Sequence, residues 1–364
     1  MGWWREGDRF PRRSRGVRLP VYEIDPQQDP RWATLVESHP RSSVFHTPQW
    51  LEALRRTYGY TPRAFTTNPA GTALTNGIVF CQIDSWLTGQ RLVSLPFSDH
   101  CEPLVLNSDD LYTVLAGVLK KTAGKLGYTE IRPRFSIELD AQYAFRPYSR
   151  YYLHVLELHP DLRELHSRLH KHSMQRKIRR AQREQVVTEQ GRSEAILKDF
   201  YGLLILTRRR HRLPPQPLAW FRNLVACFGD RLIIRVARVH GRPIASILTL
   251  RHKQTMVYKY GCSEARFHNL GGMPLLFWQA IQQAKSEQLR EFDLGRSESS
   301  NAGLIRFKDH LGASKTSLTY CRSSGRLNKI AGDILQRSVA QKLLLHLPNS
   351  LFRLAGEIFY RHAG

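Results

Sequence analysis

Trp50, Leu51, Leu54 and Tyr58 recur at helical spacing behind Thr47-Pro48, which reads as an N-cap followed by proline at the first helical position. Apolar runs of strand length follow in RAFTTN, NGIVFCQIDSW and RLVSLPFS, and then SDHCEP, read as a polar loop. The amphipathic stretch DLYTVLAGVLKKTAGKLGY predicts a helix that hands over to a strand in TEIRPRF. The second half repeats this layout. RLIIRVARV and PIASILTLRH are strands joined by a tight turn at His240-Gly241-Arg242, TMVYKYGCS is a third, and a helix beginning at Pro274 leads into REFDLG. In KKTAGKLGYTEIRPR and in QQAKSEQLREFDLGR alike, an amphipathic helix passes through a short link to a strand carrying charged residues. Strands and helices in this order predict an α/β fold (α+β, with mixed sheets) in two related units, 19–160 and 161–325. A basic arm over 1–18 precedes them, and a tail over 326–364 follows.

Between the two units lies the most basic stretch, ELHSRLHKHSMQRKIRRAQREQV. As one helix it puts Arg176, Arg179, Arg180 and Arg183 on one face and Met174, Ile178 and Ala181 on the other. Guanidinium forks suit phosphate oxygens through charge-assisted pairs of hydrogen bonds, and a solvated charged face is the plain alternative. TRRRHRLPPQP follows a second helical stretch; it reads as a lid or, more simply, as a helix end, where cations favour the C-terminal dipole. In the tail, Leu335, Val339, Leu343 and Leu344 share a face while Arg337, Lys342 and His346 spread elsewhere. Packing on a core and an amphipathic contact with an anionic membrane both fit that pattern.

Composition sharpens this. Lys+Arg number 55 against 31 Asp+Glu, a net charge of +24, so the partners favoured are polyanions: nucleic acid, anionic lipid or phosphorylated substrates. No uncharged apolar run reaches the roughly 18 residues a bilayer span needs, and no apolar segment follows Arg12-Arg13, which argues for the cytoplasm. The five cysteines are scattered without a C-x-x-C pair, so buried thiols are expected and no zinc site or disulfide framework is indicated.

Candidate chemistry concentrates in FDLGRSESSNAGLIRFKDHLGA, residues 292–313. A helix starting near Ser300 or Asn301 has Leu304, Phe307 and Leu311 as its buried stripe and Gly312 as its C-terminal cap. Lys308 borders that stripe, where its head can face a cleft and steady a developing oxyanion, or snorkel beside the core. Asp293 is expected to pair with Arg296 and fix the loop, or to act as a general base. Tyr258 and Tyr260, two apart on one strand, should share a face and orient a substrate. His268 is a further candidate base.

MQRKIRRAQREQV, HGRPIASILTLRHKQTMVYKYGCSEA and EFDLGRSESSNAGLIRFKDHLGA together resemble the FemAB-type branch of the GNAT superfamily, over about residues 40 to 325. That branch includes peptidyltransferases that add amino acids to peptidoglycan precursors and acyltransferases associated with exopolysaccharide systems. The resemblance implies two GNAT-like domains in tandem. It also implies acyl or aminoacyl transfer to a phosphorylated cell-envelope or polysaccharide precursor, at the inner membrane face. The donor would be acyl-CoA or aminoacyl-tRNA, and no metal is required. Lys308 matches the lysine placed near the reacting carbonyl, and Arg176 and Arg179 match arginines that contact acceptor phosphates. Arg296, Tyr258, Tyr260 and Phe307 are further substrate-binding candidates. Acetyl-CoA-using members carry an R/Q-x-x-G-x-G/A loop; RFHNLGGMPLL departs from it, with Gly271 and Gly272 left to hold a phosphate. A tRNA-binding protein and a non-catalytic GNAT scaffold are the alternatives.

Overall fold

The computed structural model describes residues 20–137, 145–323 and 347–363. The expected N-terminal arm and most of the expected tail, including Leu335, Val339, Leu343 and Leu344, lie outside them. The described residues divide into two compact units, 20–51 with 60–137, 145–148 and 319–323, and 52–59 with 149–318 and 347–363. Each matches the mixed α/β class expected.

In the first unit, β1 (Tyr22–Ile24), β2 (Thr61–Thr66), β3 (Ile78–Ser85) and β4 (Gly89–Ser94) form an antiparallel meander. Helix α3 (Ser108–Thr122) then carries the chain over to β5 (Tyr128–Ile131), which lies parallel to β4. The Asn107 side chain caps α3 by accepting from the Asp110 amide, Asp109 and Asp110 sit at its positive end, and Lys120 and Lys121 close its negative end. Leu111, Val114, Leu115 and Val118, at i, i+3, i+4 and i+7, bury against Phe65, Phe80, Leu92 and Ile131. Helix α1 (Pro30–Ser38), which the periodicity did not bring out, packs through Trp32, Leu35 and Val36. The residues 319–323 at the end of β12 (Ser314–Ser323) pair with β5, an edge no local pattern announces.

The second unit repeats the plan. Helix α2 (Pro48–Tyr58) begins in the first unit as expected, the Trp50 amide donating to the Thr47 hydroxyl, and its residues from Glu52 on belong to the second. Strands β7 (Val187–Gly191), β8 (Leu232–Val239), β9 (Arg242–His252) and β10 (Thr255–Ser263) run antiparallel. Helix α8 (Gly272–Ser286) crosses to β11 (Glu291–Glu298), parallel to β10, and β6 (Phe145–Glu157) pairs antiparallel with β11. Helices α6 (Glu194–Arg210) and α7 (Leu218–Phe228) also pack in this unit, and Arg208, Arg209 and Arg210 occupy the last turn of α6, as the dipole argument requires.

The basic stretch is not one helix. It breaks into α4 (Leu162–Arg168), a π-helical turn at Lys171–Gln175 and α5 (Arg176–Arg183). His170 causes the break: its side chain accepts from the Ser173 amide, and its own amide donates to the His310 carbonyl rather than along a helix. The apolar side is as expected, with Met174, Ile178 and Ala181 buried among the α8 residues Leu276, Phe277, Ala280 and Ala284. Four of the five cysteines are buried, and burial pushes the Cys101 thiol up to about 12.

Candidate functional site

Helix α9 (Ala302–Asp309) starts where the Asn301 side chain accepts from the Leu304 amide, and Gly312, in the left-handed region at φ +83°, lies just past its end. The buried stripe differs from expectation. Leu304 and Phe307 are only half-buried, whereas Lys308 is 2% exposed and is the residue of α9 that faces fully inward. Its Nζ donates to the carbonyl oxygens of Gly295 and Arg296, both at 2.9 Å.

Those carbonyls are available because β11 bulges. Its register with β6 shifts between Asp293 and Arg296, and Gly295 adopts φ +71°. Asp293, 1% exposed, fixes the kink by accepting from the Gly295 amide at 2.7 Å. A buried ammonium and a buried carboxylate therefore grip the same kink from two sides, which offsets part of the cost of taking both from water. Arg296 extends its guanidinium over the Tyr151 ring, 4.2 Å from the centroid.

His154 completes this group and was not found from the sequence, because the strand that carries it was not assigned. It is fully buried on β6, its Nε2 is 3.4 Å from Asp309 Oδ1, and its Nδ1 finds no hydrogen-bond partner among the described residues. Burial, and then the Lys308 charge, push its pKa down to about 4, so a neutral imidazole lies near the ammonium. Ser297, directly opposite Tyr152, shares a sheet face with His154, and its hydroxyl is buried without a partner among the described residues. The short apolar and aromatic run YYLHVLE, of strand length, was the available signal.

The other candidates separate into groups. Phe307 packs edge-on against Phe277, centroids 5.3 Å apart, and Tyr258 packs on the same Phe277 at 4.8 Å. Tyr260 does not share its face. The strand bulges between Tyr258 and Tyr260, which turns Tyr260 to α7, where its hydroxyl accepts from Trp220 Nε1 at 2.8 Å and from Gln216 Nε2 at 3.0 Å. Burial pushes that phenol up. A period-two reading cannot register one inserted residue.

Arg176 and Arg179 are exposed on α5, with Arg176 Nη1 3.1 Å from His172 Nδ1. This basic element is tied to the end of α9: besides the His170–His310 backbone bond, the two imidazoles stack with centroids 4.0 Å apart. Gly312 lies against Arg168, close enough that a Cβ would crowd it.

Gly271 and Gly272 have a packing explanation. Gly271 is left-handed at φ +79°, and a Cβ there would collide with the Lys177 carbonyl oxygen; a Cβ on Gly272 would press on Ala245 and Ile244. Pro274, in the first turn of α8, contributes no amide hydrogen. A carbonyl against the loop and a missing donor do not fit a CoA pyrophosphate cradle. The His268 Nε2 is 2.8 Å from the Ser263 hydroxyl, and burial, then Arg210, lower its pKa.

In the first unit the loop read as polar is buried. His46 Nε2 donates to the Glu102 carbonyl at 2.7 Å, and the Glu102 carboxylate accepts from the Arg134 and Phe135 amides at 2.7 and 3.2 Å. Burial nevertheless raises the Glu102 pKa. Glu130 is buried too, yet Arg132 at 2.7 Å and Arg322 at 2.6 Å outweigh desolvation and hold its carboxyl below the usual range.

Among the described residues, no group of three or more His, Cys, Asp or Glu could hold a metal ion, and no helix is long and apolar enough to cross a membrane.

Residues 168–309 match the acetyltransferase (GNAT) domain family, from the end of α4 to the end of α9. No curated protein matches the sequence. The fold is similar to the crystal structure of FemX, with a TM-score of 0.66 and 14% identity over 87% of this chain and 100% of that one. It is also similar to the C-terminal domain of a putative lysylphosphatidylglycerol synthetase from Agrobacterium fabrum (TM-score 0.53, 13% identity, 86% and 96% covered). A tandem GNAT protein from the clavulanic acid biosynthesis pathway is a third (0.52, 11%, 85% and 100%). At such identities the likeness is one of fold. Two mixed α/β units, each with a parallel strand pair bridged by a helix, make this a tandem GNAT-fold protein. The GNAT domain match falls within the second unit, and the likeness to FemX over most of the chain is one of fold.

Proposed function

We propose that the protein is an acyltransferase that passes an acyl or aminoacyl group to an amine or hydroxyl of a phosphorylated cell-envelope or exopolysaccharide precursor. The observation that carries this reading is the buried Lys308 ammonium, held by the Gly295 and Arg296 carbonyls on the β11 kink, in a chain with a GNAT domain. The acceptor nitrogen or oxygen attacks the donor carbonyl, the new C–N or C–O bond forms, and the carrier leaves with the bonding electron pair. The proton lost by the acceptor balances the one the carrier gains. Negative charge gathers on the carbonyl oxygen in between. A fixed cation in a water-poor environment stabilises that charge without reorganising, and its charge is what the reading uses. Asp293 holds the kink and is the proposed proton acceptor, and Tyr258, Phe307 and Arg296 are further proposed substrate contacts, while Tyr260 is committed to Trp220 and Gln216.

Arg176 and Arg179, exposed on a helix anchored to the end of α9, are the proposed contacts for acceptor phosphates. The glycine loop does not suit CoA, so the donor we favour is aminoacyl-tRNA.

The test assays the purified protein with acyl-CoA and aminoacyl-tRNA donors. Lys308→Ala is expected to cut turnover about 100-fold or more while donor binding stays within about threefold. Because this substitution strips two carbonyls of their donor, its melting temperature is measured alongside. A folded Lys308→Ala protein with full activity would remove the lysine from the site. Replacing Arg176 and Arg179 with alanine should weaken acceptor binding about tenfold or more. Tight binding of tRNA and duplex DNA alike, with no transfer from any donor, would favour a polyanion-binding protein instead.

A further inference from the structure

The helix α10 (Asn349–Ala363) is firmly seated in the second unit. Phe352 is fully buried beneath the Arg209 guanidinium, which lies 4.7 Å above its ring and donates to the Leu347 carbonyl at 2.7 Å and to Asn349 Oδ1 at 2.9 Å. One turn on, Gly356 abuts the Pro215 carbonyl so closely that any Cβ would collide, and the Tyr360 hydroxyl donates to the Pro214 carbonyl at 3.3 Å. The helix therefore has a defined inner face, and with it a defined outer one.

That outer face is apolar. Leu351, Leu354 and Ile358, at i, i+3 and i+7, are 48, 50 and 53% exposed. Arg361, also exposed, follows Leu354 by seven residues and so borders the same stripe. Leu206 on α6, 45% exposed, lies three residues before Arg209 and thus on the side of α6 that holds the start of α10. Glu357 is the single acidic residue of α10, against Arg353, Arg361 and His362.

We infer that this face of α10 lies on the surface of an anionic lipid bilayer, with Leu351, Leu354 and Ile358 entering the interface and Arg361 at the headgroups. Charge decides between the occupants an apolar stripe admits. A second copy of a chain carrying +24 would be repelled, whereas the same charge draws the helix to an anionic surface, each arginine near it strengthening binding about fivefold. The geometry is that of a helix lying in the interface plane. The inference goes beyond the acyl-transfer reading and uses neither donor nor acceptor.

Full-length protein is sedimented with vesicles of phosphatidylcholine alone and with vesicles containing phosphatidylglycerol as well. The wild type should sediment with the anionic vesicles and stay in solution with the neutral ones. Leu354→Gln with Ile358→Gln, which leaves the charge unchanged, should lower the bound fraction about tenfold or more, and Arg361→Gln about fivefold. Undiminished binding by the double variant, or no binding by the wild type, overturns the inference. So does a wild-type dimer in sedimentation velocity that the double variant splits, since the stripe then meets protein. The double variant should retain full transfer to a water-soluble acceptor, so the failure of one reading is distinguishable from the failure of the other.

Discussion

Lys308 and His154 illustrate what a buried charge requires of its surroundings. The ammonium is satisfied by carbonyls that only a kinked strand can offer, and the imidazole beside it remains neutral because burial and that ammonium both oppose a second positive charge. This has a pH consequence. The folded pKa of His154, about 4, lies below the ordinary 6.5, so the unfolded chain takes up its proton first as pH falls. His154 thus contributes stability that is fully present above about pH 6.5 and is lost as pH falls toward 4. His252, depressed to about 4 by burial and then by Lys253, adds in the same window. Urea unfolding between pH 7 and pH 4.5 should show a loss of about 1–3 kcal/mol from His154, absent in His154→Gln. An equal acid loss in that variant would rule out the assignment. Lys308 was legible in the sequence through its place beside an apolar stripe, but the stripe's depth was misjudged: the lysine is buried more deeply than Phe307.

At the scale of elements, local period served wherever one face packs on one core. Helices α2, α3, α8 and α9 and the strands β8 to β11 appear close to where the spacing put them. It failed where a tertiary contact overrode it. The arginine-rich stretch keeps a 3.6-residue pattern straight through its break, because the cause of the break, the His170–His310 bond, comes from a segment far along the chain. The β10 bulge separates Tyr258 from Tyr260 in the same way. The α5–α8 junction can be probed directly. Gly271→Ala would force a Cβ into the Lys177 carbonyl at a left-handed position, so unfolding should show a loss of about 2 kcal/mol or more. A change below about 0.5 kcal/mol would mean that the loop readily moves away.

Over the whole molecule, charge is the dominant property. With +24 to neutralise, the protein should bind tRNA and duplex DNA without sequence preference. If the four arginines of the basic stretch carry that binding, affinity should fall about a hundredfold between about 0.05 and 0.2 M salt. Arg176→Ala with Arg179→Ala should lower the slope of log affinity against log salt by about 2. Binding that ignores salt, or a slope unchanged in the double variant, would exclude those arginines. The long-range field follows from composition alone; the anchoring of α10, which turns an apolar stripe outward, does not.

The sequence by itself determined the mixed α/β class, the repeated helix-then-strand layout, the basic character and the position of Lys308, since each depends on composition or on neighbours within a few residues. Tertiary structure alone decided the Gly295 kink that receives the lysine, the burial of His154 and Glu102, the division of the basic helix and the return of residues 319–323 to β5. The physical reason is common to all four. Each is set by hydrogen bonds and desolvation between segments remote in the chain, and side-chain periodicity reports only which face of an element is covered, never by what.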